Sequence, residues 1–299
     1  MSNPISGRWG LVFSRGDRAG IAPDLSAVFL ALCPGDIFAS VISSTSPETR
    51  ASPALCRVMR EMNMNQWNQL TDVFGCRWSE DAIPECAADN ICIAWPSIIN
   101  CIEKVFDKPA RLKALDFGCG GGLFCRKLHE MGFAVTGYDE SEDLVKAARV
   151  NIPEGVTVTD SAALAARRGQ YDVITSIMVL QFVHDIEATA EKIISLLKPD
   201  GLLVHAVFNP EFIEENSGNP VFTGFEDGRT GYMELKKGVR IPVCNRTDSE
   251  YRDIFERFGC KEIYRDLPHF TTEFLGKYTM PFSTEKPEYL IQAFRKEGR

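Results

Sequence analysis

The sequence predicts an α/β fold: a doubly wound, mostly parallel seven-stranded sheet with an antiparallel last strand and helices on both faces. Three observations carry this reading. From residue 113 onward, short apolar runs alternate with helical stretches, the pattern of βαβ units. A glycine-rich turn follows the first of these runs, where such sheets open a helix. The last two apolar runs are separated by only 21 residues without helical periodicity, so they are most simply antiparallel neighbours.

The elements follow in order. KALDF (113–117) reads as the first strand, and GLFCRKLHEM as a helix with apolar residues at 123, 124, 128 and 131, closed by Gly132. AVTGYD (134–139) is the second strand, and Ser141 caps the helix after it. VTVTD (156–160) and YDVITSIM (171–178) are the third and fourth. Asp185 caps a helix through Leu197 that stops at Lys198-Pro-Asp-Gly201, and LLVHAVF (202–208) is the fifth strand. Residues 209–245 break the rhythm and read as an insertion with a hairpin around Tyr232 to Val243. Thr247-Asp-Ser-Glu250 is a capping box for a helix to Phe258. CKEIYRD (260–266) and EYLIQAF (288–294) complete the sheet, joined by a loop expected to be non-helical.

Upstream, the Ser/Thr/Pro-rich stretch 43–53 marks a boundary. Residues 1–58 are expected to be a dispensable N-terminal extension, with Met59, Met62 and Met64 as alternative starts, and 59–112 a helical cap leading into the 113–299 domain.

Composition narrows the function. The 299 residues are 44% hydrophobic and 25% charged, ample for a large core. The net charge of -8 repels phosphate backbones and anionic lipid, so neither nucleic acid nor membrane is expected as a partner. The longest apolar run near the N-terminus, LSAVFLALC (25–33), is far shorter than the roughly 20 residues that span a bilayer. Ten cysteines show no CxxC spacing and read as reduced thiols of a cytoplasmic protein. The four histidines (129, 184, 205, 269) lack metal-ligand spacing, so no metal is expected.

The chemistry lies in Asp116-Phe-Gly118-Cys119-Gly120-Gly-Gly122. Glycines at 118 and 120 let the backbone turn tightly and approach a ligand, and the helix start offers free N–H groups. A dinucleotide fingerprint would need glycine at 123, where Leu123 stands. Asp139 ends the second strand, where a carboxylate can accept both hydroxyls of a ribose. Asp160 ends the third, with Ser161 beside it, placed to meet an adenine. Any one of these is equally a tight loop or a helix cap. Together, three strand-end carboxylates converge on the edge where open α/β sheets bind ligands.

ALDFGCGGG, VTGYDES, TVTDSA, YDVITSIMVLQFVHD and LLKPDGLLV, in that order, resemble the class I S-adenosylmethionine-dependent methyltransferases of the small-molecule type, over about residues 60–299. The resemblance implies a Rossmann-like fold, S-adenosyl-L-methionine as cofactor and a small-molecule acceptor. It implies that Asp116, Gly118 and Gly120 line the methionine end, with Cys119 contributing backbone, that Asp139 holds the ribose and Asp160 with Ser161 the adenine, and that Ile177 covers the cofactor. Many relatives carry a histidine where Phe182 stands, so a base cannot be transferred from that position. No catalytic base is assigned: His205 reads as a core residue, His184 as a surface residue and His269 as part of a loop. Trp67, Trp78 and Trp95 are candidates for touching ligand, and the aromatic-rich 209–245 and 267–286 segments for the acceptor wall. Two other readings stay open, an NAD-dependent oxidoreductase and a non-catalytic protein that binds the same cofactor.

Overall fold

The computed structural model describes residues 66–75, 77, 83–84, 87–107, 109–159 and 161–298. The expectations for residues 1–58, Trp78 and Asp160 lie outside the described residues. The helices are α1 (Thr71–Phe74), α2 (Trp95–Val105, entered through a π-helical turn Asn90–Ala94), α3 (Leu123–Glu130), α4 (Glu142–Asn151), α5 (Ser161–Ala165), α6 (Ile186–Leu196), α7 (Pro210–Asn216), α8 (Asp248–Arg257) and α9 (Thr272–Lys277). The strands are β1 (Lys113–Phe117), β2 (Ala134–Tyr138), β3 (Thr157–Thr159), β4 (Tyr171–Ile177), β5 (Leu197–Phe208), β6 (Phe222–Thr223), β7 (Thr230–Lys236), β8 (Val239–Cys244), β9 (Cys260–Asp266) and β10 (Tyr289–Lys296).

Seven strands form one sheet in the order β3-β2-β1-β4-β5-β10-β9. Neighbours from β3 to β5 are parallel, and β10 is antiparallel to both β5 and β9. This is the mostly parallel, Rossmann-like sheet that the sequence pattern predicts. Alternation along each strand buries both faces. In β5, Leu202, Val204 and Ala206 join the core beneath α2 and α3, while Leu203 and Val207 join the core beneath α6 and α8. A strand covered on both sides must be apolar at nearly every position, which is why these runs stand out in the sequence.

Three local differences from the sequence reading have physical causes. The Lys198-Pro-Asp-Gly turn is absorbed into β5 as a bulge: Tyr171 pairs with Leu197 and Val173 with Leu202, and Asp200 takes a positive φ of 59°. The insertion carries α7 and a three-stranded antiparallel sheet, β6-β7-β8, in place of a lone hairpin. Two residues of β6 are too few to show alternation, so the hairpin alone is visible in the sequence. The 267–286 connection contains α9, capped by Thr271, whose Oγ1 accepts the Phe274 N–H at 3.1 Å, and anchored by buried Phe274.

A candidate small-molecule binding site at the carboxyl edge

The turn after β1 is built for close approach. Gly118, Gly120 and Gly122 all have positive φ (79°, 49° and 82°), where a side chain is strained. A Cβ on Gly118 would lie 2.3 Å from Cγ2 of Val179, so this position has no room for one. The Gly118 and Cys119 N–H groups donate to the Tyr138 carbonyl at 2.7 and 2.9 Å, tying the turn to the end of β2. Gly120 N–H donates to Asp139 Oδ2 at 2.9 Å and Ser141 N–H to Asp139 Oδ1 at 2.9 Å. Burial pushes the Asp139 carboxyl up, and these two N–H groups oppose it.

The sequence-predicted residues take distinct places. Asp116 lies 2% exposed beneath the turn, where Thr175 Oγ1 donates to its Oδ1 at 2.9 Å and Cys125 Sγ to its Oδ2 at 3.5 Å. Burial pushes it up to about 6. Both of its oxygens are engaged inside the protein, so it supports the turn from below. Cys119 is buried, and its sulfur and that of Cys125 both lie where a Cβ on Gly137 would fall. Ser161 Oγ shares a 2.8 Å hydrogen bond with Tyr138 Oη. Ile177 ends β4 opposite Ala206, and Met178 after it has a φ of 57°. Gly118, Gly120, Asp139, Ser161 and Ile177 thus share the carboxyl edge of adjacent strands.

The segment before α2 covers this edge in part. Phe74 O accepts the Gly121 N–H at 3.1 Å, and Ser141 Oγ donates to Asn68 Oδ1 at 2.6 Å. Trp67 packs edge-on to Phe182 at 4.9 Å and against Phe74 at 5.7 Å, at the edge, whereas Trp95 is buried against Phe124 at 5.0 Å. Sequence reasoning missed Asn68 and the Phe74 carbonyl, because a single amide and a backbone oxygen leave no pattern. Phe212 and Phe222 pack with Phe208 and Phe282 in the core that joins the insertion to the rest of the domain. Phe270, Phe274 and Tyr278 instead pack in series as tilted pairs at 5.6 and 4.8 Å against the α2 side of the sheet. His205 is fully buried, and His184 and His269 are exposed.

A glycine turn beside the strand-end carboxylate of Asp139 thus lies on a mostly parallel sheet that finishes with β10 reversed, the arrangement the resemblance to methyltransferases implies. Residues 96–264, more than half of the chain, match the methyltransferase domain family, and the chain belongs to that family. Among curated proteins it is similar to the ubiquinone biosynthesis O-methyltransferase of Chelativorans sp. (strain BNC1), 38% identical over 103 residues, covering 33% of this chain and 41% of that one. The Xanthomonas axonopodis pv. citri protein of the same name is 37% identical over 110 residues, covering 34% and 45%. The chain thus spans less than half the length of these relatives. In fold it is similar to an S-adenosylmethionine-dependent methyltransferase from Mesorhizobium loti (TM-score 0.53, 22% identity, 70% of this chain and 98% of that one). It is also similar to the Burkholderia thailandensis 1,6-didemethyltoxoflavin-N1-methyltransferase, solved with its substrate and S-adenosylhomocysteine (TM-score 0.52, 17% identity, 85% and 93%).

Proposed function

We propose that the chain is an S-adenosylmethionine-dependent methyltransferase acting on a small-molecule acceptor in the cytoplasm. The observation that carries this reading is the Gly120 N–H and Ser141 N–H pair holding Asp139 at the end of β2, beside a turn at Gly118 that leaves no space for a Cβ. The residues present fit that cofactor. Each Asp139 oxygen keeps a second lone pair for one hydroxyl of a diol. The turn brings backbone close to a ligand that a side chain at Gly118 would displace, and Ser161 stands at the next strand end over. S-adenosylmethionine, when bound, supplies a methyl group already activated by its sulfonium, so the protein's task is in-line positioning of a nucleophile about 3 Å away. Ile177 and Met178 at the end of β4, with Trp67 and Phe182 above, supply apolar surface that excludes water from that line.

A small acceptor is supported by the relatives' printed activities, by the net charge of -8 and by the aromatic series on α9. Among the described residues no helix is long and apolar enough to cross a membrane, and six cysteines are free thiols, in keeping with a reducing compartment. Nothing in the site favours hydride transfer. Calorimetry with S-adenosylhomocysteine and with NADH tests the reading. Binding of the former alone is expected, followed by transfer of labelled methyl from S-adenosylmethionine to a compound in a metabolite extract. Binding of NADH alone would overturn it, and cofactor binding without transfer to any compound would leave the non-catalytic reading.

A further inference from the structure

The antiparallel run of β10 brings its first residue, Tyr289, opposite Phe208 at the carboxyl end of β5. That is two strand spacings, roughly 10 Å, from the end of β4, on the ligand edge of the sheet. Tyr289 is fully buried and its Oη donates to Asp89 Oδ2 at 2.9 Å, a contact between residues 200 positions apart. Asp89 stands at the start of the π-helical turn and is only half-buried. Next to Tyr289, Glu288 is 3% exposed; its Oε2 is buried with no hydrogen bond of good geometry, the Tyr289 hydroxyl being its polar neighbour. Among the described residues neither acid forms an ion pair.

A buried carboxyl oxygen left without a well-formed hydrogen bond costs about 1–3 kcal/mol, so its retention calls for a reason beyond packing. The surroundings suit a ring. Tyr289 and Phe274 belong to one apolar cluster with Ile177, Met178, Phe270 and Tyr278 packed against it. An aromatic acceptor lying against them presents its hydroxyl to the start of β10.

We propose that Glu288, with Tyr289 and Asp89, is the acceptor-hydroxyl site, and that it takes phenolic acceptors, Glu288 being the base that removes the hydroxyl proton. This deepens the methyltransferase reading and rests on it. The acceptor oxygen bonds to the methyl carbon as the carbon–sulfur bond breaks, with that electron pair left on sulfur, and the hydroxyl proton passes to Glu288 Oε2. Tyr289 and Asp89 are positioning residues. Tyr289 holds Asp89 beside Glu288; burial first, and then the Asp89 charge, raise the Glu288 carboxyl well above its usual range against the lowering effect of the Tyr289 hydroxyl, towards the proton affinity a phenol requires. Among the described residues, Cys92 on the π-helical turn also feels the Asp89 charge, together with Glu273 and Lys277 of α9.

The test uses the full chain with S-adenosylmethionine and catechol, and aniline and thiophenol as the comparison nucleophiles. Wild type is expected to give O-methylated catechol at a rate that rises with pH along one acidic limb. Glu288→Gln is expected to lose about 100-fold or more in kcat and lose that limb. Its affinity for S-adenosylhomocysteine should stay within about twofold of wild type. Glu288→Asp should recover part of the rate. Asp89→Asn, at the half-buried position, should move the limb to lower pH and guards against a folding defect in the Glu288 variants. Wild-type rate and pH profile in Glu288→Gln would overturn the proposal. So would a wild-type S-adenosylhomocysteine complex that binds no catechol, or that methylates only aniline or thiophenol. In those cases the methyltransferase reading stands, whereas failure of the wild type to bind S-adenosylhomocysteine would remove both.

Discussion

Asp116 is a carboxylate kept inside the protein below the glycine turn, and replacing it by asparagine should stabilise the fold in a pH-dependent way. Its carboxyl is raised by burial to about 6, against about 3.9 in an unfolded chain. The folded state therefore binds this proton more tightly than the unfolded state, so stability is highest at low pH and falls as pH rises from about 4 through about 6. Integrated, ionising Asp116 in place costs about half a kcal/mol at pH 4, about 2 at pH 5.5 and about 3 at pH 8. Asp116→Asn removes that cost and keeps an oxygen for the Thr175 hydroxyl. It also sets an amide against the Cys125 thiol, an offset that does not vary below the thiol's raised titration range. The assay is urea unfolding of ligand-free wild type and variant at pH 5.5, 7 and 8, above the isoelectric point of about 5.2. The variant's advantage should grow by about 1 kcal/mol across that window. A difference that is flat with pH, or that shrinks as pH rises, would refute the assignment of a raised carboxyl to Asp116.

His205 should behave in the opposite sense. Both ring nitrogens are buried without partners, and burial pushes the ring down to about 3, so the stability it allows is present above about 6.5 and lost as pH falls below that. His205→Phe, set among Tyr251, Phe255 and Phe294, should gain about 1–3 kcal/mol at neutral pH, and the gain should widen on acidification in the same unfolding assay. Gly118→Ala should cost about 2–4 kcal/mol from its φ and the Val179 clash, with S-adenosylhomocysteine binding lost. Gly120→Ala, where the nearest atom to a Cβ is 3.6 Å away, should cost about 1 kcal/mol by calorimetry and leave a folded protein. Phe274→Ala should raise the acceptor KM and leave S-adenosylhomocysteine affinity unchanged. An unchanged KM would mean that α9 does not wall the acceptor pocket.

The parts of the fold that the sequence displays are those where one physical constraint acts on consecutive residues. A strand buried on both faces is mostly Val, Ile, Leu, Ala and Phe, and β4 and β5 read at once despite the buried Thr175, Ser176 and His205 within them. The antiparallel placement of β10 follows from the length of a connection, which also needs no contact information. The bulge at Lys198–Gly201 and the capped turn α9 depend on register and on a single buried Phe274, so the local pattern is silent about them. The site divides the same way. Asp139 and Gly118 sit at fixed distances from strand ends and are readable from spacing. Asp116 is readable as a residue, yet its place below the turn is set by Thr175, fifty-nine positions later. Asp89 and Glu288 acquire meaning only through Tyr289, which no periodicity connects to either side of the partnership.

The reversed direction of β10 also separates two ends of the molecule. Because the strand starts at the ligand edge and runs away from it, its eight residues carry the chain roughly 25 Å, to the opposite rim of the sheet. There Lys296 Nζ donates to the Ile194 and Leu197 carbonyls at 2.8 Å, fastening the strand's exit to the far end of α6. An affinity tag, fluorophore or surface tether attached beyond residue 298 therefore leaves the glycine turn and the acceptor side unobstructed. Orientation on a sensor chip or an assay bead can be set from that rim with the ligand edge facing solution.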